Sequence, residues 1–370
     1  MSAVAHLVDW VRSEALPVWA ERGFDARAGR FHERLDDAGR PLSVPHRAMV
    51  QARQIYVYAH AGQLGWHADG ATLAARAMEA LRRDFAVEAN GEAAVRFSID
   101  AKTGQPRSEL RDAYAHAFVL FAAAFLHQAT GDRQVLDFGR RVAAYVDRVL
   151  ADRRHGGHIT DAEAGGAEKL QNPQMHLLEA WLALAEADPA GPWLERAGAL
   201  VTLFRERLLR GGILAERFAE DWMPHPDGQV ADVWEPGHHF EWIWLLDWYQ
   251  RLTGDDLSEP RAALLRAATR AEASVGGLIL DQLGADGRVV RTAHRLWPHC
   301  EAIKAAMVVA DDRLAAEAAA GLADHFLGRP FAGGWTDQLD ADRAPILAYV
   351  PASSLYHLML AATVADGAVA

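Results

Sequence analysis

Six times along this 370-residue chain, a short extended element interrupts a sequence that otherwise reads as helix. It appears as GRFHERLD at 29–36, VRFSID at 95–100, GGHITD at 156–161, GGILAERF at 211–218, GGLILDQL at 276–283 and GGWTDQLD at 333–340. With Asp36, Asp100, Asp161, Glu216, Asp281 and Asp337 taken as equivalent, the intervals are 64, 61, 55, 65 and 56 residues. A period of roughly 60 leaves room for two helices of about four turns and their connections. The recurring Gly-Gly ends one helix and lets the chain turn into a short extended piece.

Between these elements, alanine and leucine dominate. Apolar residues recur at spacings of three and four in 71–86, 111–128, 134–150, 174–187, 194–209, 238–252, 260–273, 299–320 and 351–366. Runs of β-branched residues are nearly absent, which sets the class as all-α. Six helical pairs can form an open solenoid or a closed ring. Neither end reads as a polar capping repeat: Trp10, Val11, Leu16, Val18 and Trp19 are apolar at one, and Leu355, Leu358, Met359 and Leu360 at the other. That favours closure, with loops lining the mouth of a central funnel. No Pro-rich or Ser/Gly-rich linker interrupts the pattern, so residues 1–370 are expected to form one domain.

The charge balance narrows the partners. Fifty acidic against 38 basic residues, a net charge of −12, argue against nucleic acid or an anionic membrane surface as the main partner. A small anionic ligand needs only a local basic patch and stays open. The single cysteine, Cys300, removes any intrachain disulfide scaffold. Asp9, Arg12 and Glu14 break the apolar stretch that a signal peptide would need, and no later segment is long and apolar enough to span a membrane. A cytoplasmic protein is expected. Seventeen histidines and twelve tryptophans point to a polar, aromatic cavity, although packing alone can use many of the tryptophans.

Three patches are too polar and aromatic for their helical settings. In Arg47–His60, the side chains of Arg53, Tyr56 and His60 fall close together on one helical stripe. Arg53 offers a fixed fork of donors to hydroxyl or carboxylate oxygens, or else an ordinary salt bridge. In Asp232–Trp244, Pro236 and Gly237 mark a helix start, with His238 in its first turn and Glu241 one turn on. Glu241 could then accept from one imidazole nitrogen and set the tautomer, while the helix N-terminus keeps His238 neutral enough to act as a base. A satisfied structural histidine is the alternative. In Tyr349–Leu358, Pro351 precedes a helix carrying His357, whose interest depends on whether the fold sets it opposite His238. His176, in Asn172–Glu179, and the stretch Arg295–Lys304 repeat the pattern of a proline at a helix start followed by titratable residues. No HExxH, cysteine cluster, P-loop or dinucleotide glycine signature appears. A histidine-only metal site from His176, His238 and His357 is still arithmetically possible.

These motifs identify a resemblance across nearly the whole chain. Gln51-Ala-Arg53-Gln54, Asn172-Pro-Gln-Met-His176, Glu235-Pro-Gly-His238-x-x-Glu241-Trp242, Trp297-Pro-x-x-Glu301 and Tyr356-His357 resemble the N-acylglucosamine 2-epimerase superfamily, which includes cellobiose 2-epimerases and aldose–ketose isomerases. The resemblance implies an (α/α)6 barrel, six helical hairpins closed in a ring with short β pieces in the connecting loops. It implies acid/base catalysis by His238 and His357, without metal or cofactor. Glu241, Glu301 and His176 would support them, and Arg53, Trp297 and Trp242 would bind substrate; Tyr56, close to Arg53 on its helix, is expected to bind substrate from the patch itself. The implied partner is a small monosaccharide, and the implied assembly a monomer or homodimer. Trp-Pro-x-x-Glu-Ala-Ile-Lys and Pro-Ala-Ser-Ser-x-Tyr-His resemble the mannose-isomerase-like branch. The expected reaction therefore interconverts D-mannose, or D-lyxose, with its ketose through a cis-enediolate. A 2-epimerase of N-acylglucosamine or of a β-1,4-linked disaccharide, and a catalytically silent sugar-binding protein, are the alternatives. A phosphorylated hexose stays open, because His46, Arg47 or Lys304 could supply positive charge.

Overall fold

The computed structural model describes residues 2–163 and 167–367, and most of them are helical. In chain order the helices are α1 (Ala3–Trp10), α2 (Leu16–Glu21), α3 (Ala48–Gln63), α4 (Gly70–Phe85), α5 (Ala113–Thr130), α6 (Arg133–Tyr145) and α7 (Gln171–Ala187). They continue with α8 (Trp193–Leu203), α9 (Pro236–Thr253), α10 (Ser258–Ala268), α11 (Leu296–Val309), α12 (Asp312–His325) and α13 (Leu355–Ala365). A π-helical turn, Val11–Ala15, joins α1 to α2.

Two kinds of helix alternate. Helices α3, α5, α7, α9, α11 and α13 are buried on nearly every face, as expected for segments apolar all round. Helices α4, α6 and α12 bury one stripe and expose the other. Among the buried helices, α3 packs on α5, α5 on α7, α7 on α9, α9 on α11, α11 on α13 and α13 on α3. Each of α4, α6, α8, α10 and α12 packs on the buried helix before it, and α1 packs on α12 and α13. The apolar stretch 299–320 is two helices rather than one. Ala310 turns the chain in the left-handed region, at φ 56°, and Asp311 caps α12 by accepting from Leu314 N–H.

The extended elements recur as the sequence predicts. Hairpins 209–214 and 274–279 turn on Gly211–Gly212 and Gly276–Gly277, all four with φ between 57° and 83°. A two-residue turn that matches strand twist needs positive φ at both positions, which only glycine adopts freely. In the second repeat the same turn is Asn90–Gly91, at φ 52° and 80°.

After each such turn, the chain pairs with the segment leading into a buried helix. Residues 98–99 pair with 46–47, 161 with 112, 217–219 with 168–170, 283–284 with 233–234, and 338–339 with 294–295. The sixth pairing joins the two ends of the chain, Arg34–Leu35 with Val350–Pro351. All six pairings therefore lie beside the N-terminal ends of the buried helices. Among the described residues, no helix is long and apolar enough to cross a membrane.

Candidate active site

The N-terminal ends of the buried helices carry the polar residues that the sequence singles out. Arg53, His176, Glu241 and Glu301 are each the sixth residue of their helix, and His238 and His357 the third. One turn separates these positions, so they present two tiers of polar groups to a common space. That space is a cavity of about 380 Å³, lined by Arg53, His176, His238, Glu241, Trp297 and His357 together with Tyr114, Asn172, Glu216, Glu235, Arg295 and Asp337, among others.

Trp297 touches both histidines of interest. Its ring centroid lies 4.9 Å from that of His238 and 5.6 Å from that of His357. Gly237 makes this placement possible: a Cβ there would come within 2.5 Å of the indole.

The two histidines sit in opposite electrostatic settings. His238 Nδ1 faces Glu216 Oε1 at 2.9 Å and Glu235 Oε2 at 3.6 Å, while Nε2 lies 3.4 Å from Asn172 Nδ2. Burial depresses its pKa, but the charges of Glu216 and Glu235 and the Glu216 hydrogen bond outweigh burial and raise it to about 9. The expectation that the helix N-terminus keeps His238 neutral is therefore wrong: two carboxylates at close range outweigh half a unit of helix-end charge. His357 is the reverse. Its Nδ1 faces Glu301 Oε1 at 2.7 Å, yet burial, assisted by the charges of Arg53 and Lys304, pushes its pKa well below the ordinary range. A carboxylate at Nδ1 selects the Nδ1–H tautomer and leaves the Nε2 lone pair available.

Glu241 does not orient His238. It lies 3.8 Å from His176 Nδ1, which is closer still to Glu179, at 3.1 Å. The partner of His238 is Glu216, which the sequence marks only as a repeat position. That position is itself the missed signal: Glu216, Asp281 and Asp337 recur beside the same rim, where Asp281 pairs with Arg295 and Asp337 accepts from Ser354. Glu301 lies behind His357 and forms an ion pair with Lys304 at 2.6 Å. Trp242 and Tyr56 do not line the cavity. Trp242 stacks on Phe204 and donates to Gln171, and the Tyr56 hydroxyl lies 3.1 Å from His60 Nδ1, deeper in the core. Both are fully buried, so side-chain length and helix phase carry them past the site.

Arg53 makes no ion pair among the described residues. It donates to the Tyr114 hydroxyl at 2.7 Å and to the Ser353 carbonyl at 3.2 Å, and its guanidinium lies over the rings of Phe118 and Tyr356. Arg53 Nε, Asn172 Oδ1 and Glu241 Oε1, all on cavity-lining residues, lack a hydrogen-bond partner among the described residues. Buried polar atoms without partners are costly, so these are places for ligand hydroxyls. Burial, with Glu301 and Glu179 nearby, raises the pKa of Glu241 well above the carboxylate range, so it can meet a hydroxyl as a donor.

Among the described residues, three groups of side chains lie at distances that could hold a cation: His176/Glu179/Glu241, Glu216/Glu235/His238 and Glu241/Glu301/His357. Two of them already face a protein cation. Arg295 is 2.6 Å from Glu235, and Lys304 is 2.6 Å from Glu301. In the first, Glu179 accepts from the Tyr356 hydroxyl.

The N-acylglucosamine 2-epimerase (GlcNAc 2-epimerase) family model matches residues 29–361. The chain belongs to this family. It is 31% identical to a mannose-6-phosphate isomerase of Rhizobium meliloti, over 96% of this chain and 94% of that protein. It is 30% identical to a D-mannose isomerase of Thermobifida fusca, over 57% and 56% of the two chains. The solved structure of cellobiose 2-epimerase from Spirochaeta thermophila superposes with a TM-score of 0.85, at 23% identity, covering 99% of this chain and 97% of that one. That likeness is one of fold.

Proposed function

We propose that this protein is an aldose–ketose isomerase that interconverts D-mannose, or the related D-lyxose, with its ketose. The observation that carries the reading is the pair of histidines on one cavity whose protonation states are driven apart. A neutral base and a charged acid are what proton transfer beside a sugar carbonyl needs. In the open-chain aldose, His357 Nε2 removes the C2 proton while the His238 imidazolium gives a proton to O1. The resulting cis-enediol then returns its O2 proton to His238 and takes the carbon-bound proton back at C1. Arg53 and Glu241 hold hydroxyls near the reacting carbons, and Trp297, against both histidine rings, forms one wall of the site.

The surrounding architecture supports an (α/α)6 barrel within one domain, because the buried helices contact one another in cyclic order and the sixth loop pairing joins chain ends. A cavity near the lower end of the usual ligand range of about 300–1,000 Å³ suits a monosaccharide better than a disaccharide. The unphosphorylated sugar is favoured because, among the described residues, the cavity lacks a free cation away from the histidines. Arg217 pairs with Glu168, Arg295 pairs with Glu235 and Asp281, and Arg53 lies where C1 and C2 would react. His46, Arg47 and Lys304 do not line this cavity. The same charges support metal-independent chemistry, because Arg295 and Lys304 already pair with Glu235 and Glu301, one carboxylate in each of two of the three groups.

Proton NMR in D₂O tests the reading, run separately with mannose, lyxose, mannose 6-phosphate, N-acetylglucosamine and cellobiose, with and without EDTA. Ketose formation from mannose or lyxose, with deuterium entering from solvent and unchanged by EDTA, is the expected result. A C2 epimer without ketose, from N-acetylglucosamine or cellobiose alone, would replace the isomerase reading with the epimerase one. Binding of a sugar with no exchange at all would leave only a silent binding protein.

A further inference from the structure

A second cavity, of about 570 Å³, lies outside the central site and shares no lining residue with it. Residues 25–32, 41–46 and 101–102 contribute its walls, with Arg27, Arg30, His32, His46 and Lys102 supplying the nitrogen donors. Two of these side chains are buried and incompletely paired. His46 is 2% exposed, and neither of its ring nitrogens has a hydrogen-bond partner among the described residues. Arg30 is 5% exposed; its Nη atoms reach Asp84 and the Ala101 carbonyl, but Nε has no partner. Leaving such groups unpaired in the interior is costly, and native proteins rarely do so without a ligand or water to satisfy them.

The charge at this cavity is unlike that of the chain. In a protein of net charge −12, Arg27 and Lys102 stand exposed at its rim with no ion pair among the described residues. The one lining carboxylate, Asp25, accepts from the backbone N–H groups of Arg27 and Ala28 in its own turn. We propose that this cavity binds a phosphate-class oxyanion, with Arg30 Nε and the His46 ring donating from within and Arg27 and Lys102 closing the charge at the mouth. A guanidinium and an imidazole are groups suited to phosphate oxygens. The volume exceeds that of the central cavity, which leaves room for an organic group carrying the phosphate. The field agrees: burial, with Arg30 and His32 adding positive charge, holds the His46 pKa down at about 4. A bound anion would relieve that repulsion.

Isothermal titration in chloride buffer of fixed ionic strength, with excess mannose occupying the central site, tests the proposal. The probes are inorganic phosphate, a hexose 6-phosphate and adenosine monophosphate. At least one is expected to bind, and Arg27→Glu or Lys102→Glu to weaken it about tenfold, as loss of one charge-assisted contact would. Both positions are exposed, so the fold and sugar turnover should be unchanged, and His46→Gln should weaken binding as well. Equal affinity for inorganic phosphate and the esters identifies the free anion, and tighter ester binding identifies a phosphorylated metabolite. No binding of any probe, unchanged affinity in both surface variants, or loss of binding in Arg53→Ala would overturn the proposal. The sugar assays are separate, so either reading can fail without the other.

Discussion

Replacing His357 or His238 with alanine is expected to lower kcat on the favoured sugar by about 10²–10⁴-fold, the range for losing one positioned acid or base. Circular dichroism should change little, because each histidine borders a cavity instead of filling the core. The pH profile separates the two roles. His357, held neutral by burial, places the acidic limb below the ordinary histidine range. His238, raised to about 9 by Glu216 and Glu235 against burial, places the alkaline limb near 9. Glu216→Gln removes the nearer charge and should move the alkaline limb to lower pH while leaving the acidic limb in place. A merely structural Glu216 would change amplitude and leave both limbs alone. The same raised pKa makes a stability statement. The charged His238 stabilises the fold in full below its unfolded pKa of about 6.5, and that contribution is lost as pH rises through about 9. Near-wild-type turnover in either alanine variant would remove that histidine from the mechanism.

Lys304→Met should be among the most destabilising single changes in the molecule, by about 3–5 kcal/mol in apparent unfolding free energy. Lys304 is fully buried, forms an ion pair with Glu301, and lies 4.1 Å from the centre of the Trp244 ring. Glu241 and Glu179 stand close enough to raise its pKa after Glu301, against the effect of burial. Removing it leaves three buried carboxyl groups with their common cation gone. Glu179, already raised to about 7 by burial, would gain a proton. A second substitution, Glu301→Gln, removes the stranded charge and should recover part of the loss, although it costs His357 its partner. Urea midpoints of the two variants and the parent check this ordering. If Lys304→Met lies within about 0.5 kcal/mol of the parent, the range of an ordinary surface change, the buried pair does not anchor this region.

Much of the fold could be read from local pattern. Apolar spacing at three and four marks the helices, and glycine pairs mark turns that need positive φ, because both effects act within a few residues. The break at Ala310 is not legible locally because the composition of 299–320 stays helical across it; only a left-handed residue and the Asp311 cap divide it. Most of the candidate site was also visible, since prolines fix where the buried helices start and therefore which side chains stand at their N-terminal ends. Arg53, His176, His238, Glu241, Trp297 and His357 all line the cavity on that basis. Trp242 and Tyr56 do not, because a helix offers several faces and only the packing decides which one meets the cavity.

The sequence by itself determined the helical class, the repeat and the residue types available for proton transfer. What each residue does depended on contacts between segments far apart in the chain. Glu216 reaches His238 across 22 residues, and Glu301 reaches His357 across 56. A pKa follows from the charges within a few ångströms and from the water excluded around them, and neither quantity is written in the local sequence. Tertiary structure alone therefore set the two histidines in opposite electrostatic settings.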